Sequence, residues 1–513
     1  MKIKYLIVAF IVLTACENYP DRVRTSLQQA RDNRQQLEEV IRHYNKSGEK
    51  EKVEAAYFLI ANMKDKGSYY NDLVDAEGKS VGFNISDFNN TEEENVWLDS
   101  VKAVRGPLHI YENYELDLTH ITSDFLINNI DRAFEVKQES PFCQGISDHD
   151  FYEYVLPYRV GYERLEDWRG SILNEFAELK DSIYGFSTLL AATNFIDNYF
   201  QRCFWYGGGR YFKQRKMRCY SELRHDWKGK CDDMCNLVIF GLRALGVPSG
   251  YDGVNYKQAW DGVGHGWCFV LDAKTGKNYP FDALSENGPG LFNCPNPNSP
   301  KVMRTQFAIQ ENSVKNDPDQ IHPALYRDYS QDVTSEYFET VNISISLKHE
   351  CTYPVYLSIW FRGVWVPIDY FEDTKPFERV SFSHVSKDNL YCLTSYIHSA
   401  NTEEGEPFVI NRYGEIVYEQ SLGIQESVSL NEYQSAWFQN ANIGDIVYKF
   451  GAGGDYKVVC KKVKRKNPEN GQSDWLFAPD SVRTNCFYYL SDPVKSHGRI
   501  FVLDNDKKNI HWY

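Results

Sequence analysis

Apolar residues recur at steps of three and four between Asp21 and about Lys66. Leu37, Val40, Ile41 and Tyr44 make one stripe, and Val53, Ala56, Tyr57, Ile60 and Met63 make another. One side of a helix returns about every 3.6 residues, so the stripes predict two helices, with the Gly48 neighbourhood as the loop between them. From 68 to about 200 the pattern stays mainly helical. Phe125, Ile127, Ile130 and Phe134 mark one helix, and the stretch from Ile172 through Phe200 carries one or two more. Between them, Tyr154 to Val160, Glu163 and Asp167-Trp168-Arg169 concentrate aromatics and arginine. Pro157 interrupts any helix there. A packed corner is expected, with Arg159 and Arg169 bonded to carboxylates or carbonyls; a groove wall is the other reading.

From about 336 the period changes to two. Val341, Ile343, Ile345 and Leu347 alternate with polar residues. Val355 to Phe361, Val364 to Tyr370, Phe377 to Phe382 and Leu390 to Ile397 follow as strands. Arg412-Tyr413-Gly414-Glu415 reads as a hairpin turn, and a second set of strands runs from Ile446 to Val502. The expected class is multidomain α+β: a helical N-terminal region, a central α+β core and one or two all-β, sandwich-like C-terminal domains. The expected divisions are a signal segment at 1–16, a helical pair at 17–67 and a mainly helical region at 68–202. A core at 203–292, a Pro- and Asn-rich linker at 293–335 and β domains at 336–430 and 431–513 complete the layout.

Composition narrows the partners. With 71 acidic against 56 basic side chains and a formal charge of -15, the chain lacks the basic surface that phosphate contacts require, so no nucleic-acid partner is expected. Gly207-Gly208-Gly209 beside a basic run has neither the spacing of a phosphate-binding loop nor a strand leading into it.

The N-terminus sets the expected compartment. Lys2 and Lys4 precede an apolar run from Tyr5 to Ala15, too short to span a bilayer and suited to a signal segment. Leu13-Thr14-Ala15-Cys16 resembles the bacterial lipobox, which implies cleavage before Cys16 and lipid on its thiol. An ordinary secretory signal with a chance cysteine is the alternative. The localisation expected is the cell envelope, outer membrane or periplasmic face, with the membrane reached through the lipid anchor only. Of the 12 cysteines, lipidation of Cys16 and a free thiol at Cys231 leave an even number, and export permits disulfides.

Candidate chemistry gathers between Gly229 and Ala283. A short helix from Ser221 to Trp227 is expected to stop at Gly229, and Cys231 then opens a second helix ended by Gly246 and Pro248. A cysteine in a first helical turn sits among unpaired N–H groups that favour a thiolate. Gly264 to Leu271 reads as a strand that returns through Lys277 to Asp282. If 272 and 277 face each other, Asp282 lies opposite Trp267 and diagonal to His265 on one sheet face. Thiol, imidazole and carboxylate in that order are what a nucleophile, its base and the base's orienter require. A zinc site from Cys231, Cys235, His265 and Cys268 is the rival reading.

G-K-C-D-D-M-C, then G-L-R-A-L-G-V-P, G-H-G-W-C-F-V and Y-P-F-D-A together resemble the transglutaminase-like superfamily, with its papain-like Cys-His-Asp core. More loosely, the whole arrangement is similar to lipid-anchored transglutaminase-like proteins of Bacteroidetes-type bacteria. The resemblance covers roughly residues 205 to 290. It implies Cys231 as nucleophile, His265 as base and Asp282 as orienter. It also implies a thioester acyl-enzyme formed on a peptide, protein or peptidoglycan-type amide and resolved by water or an amine, with no cofactor and no metal. Upstream of the cysteine no residue is clearly assignable as the oxyanion-hole side chain; Trp227, Tyr220 and the Cys231 N–H are the candidates. A catalytically silent core that binds envelope glycan or peptide is the alternative function.

Overall fold

The computed structural model describes residues 19–207, 217–255, 264–285, 288–289, 299–310, 325, 328–361, 364–373, 375–397 and 400–418. Nearer the C-terminus it describes 446–450, 456–466, 473–477, 486–492, 497–503 and 510–512. Cys16 with its lipobox, Gly208, Gly209, the basic run 210–216 and the Pro- and Asn-rich stretch 290–298 lie outside the described residues. The architecture mixes helices, concentrated toward the N-terminus, with several sheets toward the C-terminus. Among the described residues no helix is long and apolar enough to cross a membrane. The chain divides into two compact units.

The first unit draws on Met1–Phe186, Phe204–Pro248 and Ala273–Thr275. The expected helical pair is Arg34–Ser47 and Lys50–Ala61, and a third helix, Asp21–Gln29, precedes it. Leu37, Val40, Ile41 and Tyr44 are buried, as are Val53, Ala56, Leu59 and Ile60. Gly48 ends the first of the pair in a left-handed conformation (φ 77), as a helix C-terminus favours. The Tyr44 hydroxyl donates to Asp131 on helix Ser123–Glu139 at 3.0 Å.

Region 68–202 is not uniformly helical. Gly67–Val74 pairs antiparallel with His109–Leu116, in unbroken register from Gly67↔Leu116 to Val74↔His109. Both strands are rich in Tyr, Leu, Ile and Val, which suit a pleated surface. The excursion between them carries helix Thr91–Arg105, whose Asn90 cap accepts the Glu93 N–H at 2.9 Å. That intervening helix hides the strand pairing from a local reading of the sequence.

The arginine-rich corner is packed, as expected. Arg159 is buried and grips Asp117 with two nitrogens, at 2.8 and 2.5 Å. Its third nitrogen donates to the carbonyls of Gly67, Gly161 and Glu163 at 2.9–3.0 Å. Arg169, also buried, donates to Val155 O at 2.7 Å and Arg243 O at 2.9 Å. Arg243 O lies in the last turn of helix Cys231–Ala244, where a cation complements the helix dipole. Burial, with the nearby Arg243 charge, brings the Arg169 guanidinium down to about 9. The corner therefore fixes the far end of the helix that Cys231 begins.

The second unit draws on Ser187–Cys203, Ser249–Asp272 and Gly276–Tyr513. Its helix Leu189–Gln201 is capped by Thr188, whose hydroxyl accepts the Ala191 N–H at 3.2 Å. A five-stranded antiparallel sheet has the spatial order Lys277–Phe281, His265–Asp272, Ser249–Val254, Met303–Thr305, Ser330–Asp332. The last two strands come from the stretch expected to be linker. Their polar composition conceals them, and pairing with the Ser249–Val254 strand orders them.

Further along, Thr340–Cys351 pairs with Phe377–Ser386. A separate sheet has the path Val364–Phe371, Val355–Phe361, Asn389–Ile397, Phe408–Ile410, Ile416–Tyr418, with Ala400–Glu403 paired to Asn389–Ile397. Ile343, Ile345, Val380 and Phe382 of the first sheet share one buried cluster with Leu357, Ile359 and Leu393 of the second. The intervening Ser344 and Ser381 are exposed, the alternation of a half-buried strand. Gly414 takes the left-handed conformation (φ 84) in the hairpin turn that the sequence marked. A final antiparallel sheet of six strands runs from Ile446 to Trp512.

Candidate active site

Cys231 is the first residue of helix Cys231–Ala244, after an extended Lys230. It is half-buried, at the helix end whose N–H groups lack intrahelical partners. The two aspartates that follow are both engaged by cations. Lys230 Nζ lies 3.1 Å from Asp232 Oδ2. Asp233 turns inward, is buried, and accepts the Lys230 N–H at 3.1 Å beside the guanidinium of buried Arg218. Arg218 also pairs with Asp226 at 2.9 Å. The repulsion that these two carboxylates would exert on a thiolate at Cys231 is thus partly offset.

Gly229 has a different role from the one expected. The preceding helix is Tyr220–Asp226, and Trp227 itself takes the left-handed turn (φ 50), its N–H bonded to Leu223 O at 2.9 Å. The Arg224 guanidinium lies 4.0 Å from the centre of the Trp227 ring, which helps hold this unusual conformation. Gly229 supplies space instead. A methyl group there would stand 2.7 Å from both Arg218 and the Asp233 side chain. Gly229→Ala is expected to destabilise the protein by about 1–3 kcal/mol through overpacking. Chemical denaturation checks this; an unchanged midpoint would show that the Arg218–Asp233 contact yields freely.

The strand Trp205–Tyr206 runs parallel to Lys228–Gly229, with Trp205 N–H donating to Trp227 O and Gly207 N–H to Gly229 O, both at 2.7 Å. Trp205 and Tyr206 are exposed. Partial burial and the neighbouring Cys231 and Asp232 raise the Tyr206 phenol above its usual range. Tyr206 was missed by sequence reasoning, because only the parallel pairing with Gly229 brings it beside the cysteine. Tyr220, one of the oxyanion candidates, is otherwise committed: its hydroxyl donates to Glu175 at 2.5 Å, and burial with that carboxylate raises it.

His265 and Asp282 are brought together in the second unit. The hairpin register is Asp272↔Lys277 through Cys268↔Phe281, the alignment that the turn sequence predicted. His265 Nε2 and Asp282 Oδ1 are 2.8 Å apart, and the side chains are 25% and 33% exposed. Glycines flank the histidine for steric reasons. A methyl group on Gly264 would crowd Val254 O at 2.7 Å, and one on Gly266 would overlap the Tyr251 ring. Below the histidine, the Trp267 ring is fully buried and its indole donates to Tyr337 at 2.9 Å. Tyr337 donates to buried Asp252 at 2.6 Å, which Arg304 grips at 2.8 and 2.9 Å. This network makes the strand under His265 a stiff platform.

The segment just after Asp282 is clamped as well. Leu284 holds a left-handed conformation (φ 56) that a branched side chain rarely adopts. Asp197 accepts its N–H at 2.8 Å and Gln201 donates to its carbonyl at 3.2 Å, both from helix Leu189–Gln201. The zinc alternative loses two of its four ligands as a pair, because His265 and Cys268, three apart on one strand, point to opposite faces. Cys235 and Cys268 are buried. Nine cysteines whose side chains are described are free thiols: Cys203 is exposed, Cys231 half-buried and the other seven buried.

A scan of the sequence against protein-family models gives no match, and a search of curated proteins gives none.

Proposed function

We propose that the chain is an exported, lipid-anchored cysteine enzyme of the transglutaminase-like type that acts on amide bonds. The observation that carries this reading is the His265 Nε2–Asp282 Oδ1 hydrogen bond, on the register required by a base and its orienter. The carboxylate engages Nε2, so Nδ1 is the ring nitrogen assigned to the thiol. The position of Cys231 at a helix start adds an independent reason for a reactive sulfur.

In the proposed reaction the Cys231 thiol gives its proton to His265, and the sulfur attacks the amide carbonyl. The developing oxyanion is met by the Cys231 N–H. The imidazolium then returns the proton to the leaving amine as the C–N bond breaks, which leaves a thioester. Water or a second amine attacks that thioester, with His265 again accepting a proton. Cys16 would carry the lipid that holds the enzyme at the cell envelope, where peptide, protein or peptidoglycan-type amides are the substrates.

Iodoacetamide labelling at pH 6 with peptide mapping tests the proposal. An ordinary thiol, with a reference pKa of about 8.5, is almost wholly protonated there. Cys231 is expected to label well ahead of Cys203, the exposed thiol of the same chain. The fast phase should vanish in Cys231→Ala and persist in Cys235→Ala. Equal labelling of Cys231 and Cys203 would overturn the assignment.

A further inference from the structure

His349, Cys351 and Glu404 form a cluster in the β-rich C-terminal part whose ligand atoms all lie within 4.8 Å of one another. It is the only such group of three among the described residues. His349 and Cys351 close the strand Thr340–Cys351, where pairing with Phe377–Ser386 slips between Ser346↔Arg379 and Cys351↔Phe377. Such irregularities re-aim side chains at strand ends. Glu404 follows the strand Ala400–Glu403 and is fixed by its N–H to Leu393 O at 2.8 Å. The ligands therefore come from both sheets that share the buried cluster.

We propose that His349, Cys351 and Glu404 bind a zinc ion that ties these two sheets together. The donor set is one thiolate, one imidazole and one carboxylate, the three ligand types zinc takes in proteins. Two donors about 2.1 Å from a tetrahedral centre stand about 3.4 Å apart. His349 Nε2 and Glu404 Oε2 are already 3.2 Å apart. The Tyr353 hydroxyl donates to the other carboxylate oxygen, Oε1, at 3.3 Å, which leaves Oε2 to face the ion. Orienting bonds of this kind commonly surround protein-bound zinc.

Burial and charge point the same way. Cys351 is fully buried and the Glu404 side chain only 5% exposed, while His349, at 54%, provides an entry path. Among the described residues the hydrogen-bonding partners of Glu404 are His349 and Tyr353, neither a permanent cation. A buried carboxylate without one is costly, and a divalent ion would supply the charge. Binding releases the thiol proton as the sulfur–zinc bond forms. Water completes the fourth position.

The full-length protein, reduced and freed of metal by a chelator, tests the site through cobalt(II), which occupies zinc sites and absorbs light. One equivalent is expected to give tetrahedral bands and a thiolate-to-cobalt charge-transfer band, both bleached by zinc. Cys351→Ser should lose the charge-transfer band and Cys231→Ala should keep it. His349→Gln, at an exposed position, should weaken binding at least tenfold without altering the circular dichroism of the metal-free chain, and guards against misfolding of the serine variant. Absence of stoichiometric binding, a charge-transfer band that survives Cys351→Ser, or unchanged affinity in His349→Gln would each overturn the proposal.

Discussion

His265→Gln is expected to lower acylation of Cys231 by p-nitrophenyl acetate at pH 6 by about 100-fold or more, the usual scale of general-base assistance. On the proposed mechanism the substitution also removes the imidazolium that would stabilise a thiolate. The pH–rate profile should therefore move up toward the ordinary thiol range, near pH 8.5. Asp282→Asn should act through the histidine. Its amide can donate to Nε2 and so favour the tautomer in which Nδ1 carries the proton and cannot accept one. The loss should be comparable near neutral pH, with the fold unchanged. The burst of nitrophenol in stopped flow reads both. A wild-type profile in His265→Gln would remove the histidine from the mechanism.

A pH-dependent stability is expected from Asp197. Its side chain is fully buried on helix Leu189–Gln201; Oδ1 accepts the Leu284 N–H and Oδ2 has no hydrogen-bond partner among the described residues. Burial pushes the carboxyl up to about 7 from 3.8, against the opposing effect of the Leu284 N–H. The folded chain thus keeps a proton that the unfolded chain releases above pH 4. The contribution is complete below the unfolded value and is lost as pH rises through 7. A shift of about three units corresponds to about 4 kcal/mol. Asp197→Asn retains an oxygen for Leu284 and should flatten this slope. Urea unfolding at pH 5 and pH 8 compares the two proteins, and parallel losses would assign the slope to another group.

How legible the site was depended on how locally each part is determined. The turn Asp272–Gly276 alone fixes the pairing of 272 with 277, so the His265–Asp282 alignment followed from sequence. The start of the Cys231 helix likewise needs only its own turn of residues. Gly229 was misread because its constraint is the bulk of Arg218 and Asp233, a tertiary fact, and the left-handed turn fell to Trp227. The pairing of Gly67–Val74 with His109–Leu116 was invisible for the same reason, with a helix interposed. In His349-Glu350-Cys351-Thr352-Tyr353 all five side chains carry a polar or ligating atom, so the run by itself singles out no site. It gained meaning only beside Glu404, which no local pattern links to it.

The free thiols carry a consequence for the order of events in the life of the chain. Packing shields seven of the nine cysteines whose side chains are described, and oxidants reach a sulfur only where it is accessible. An unfolded chain entering an oxidising compartment would present all of them at once, and mispaired bridges would trap it. On the proposed export, folding must therefore outpace oxidation, after which Cys203 and Cys231 alone among the nine free cysteines stay open to reagents. The interior then acts as a kinetic shelter, and selectivity among like sulfurs comes from when each is covered.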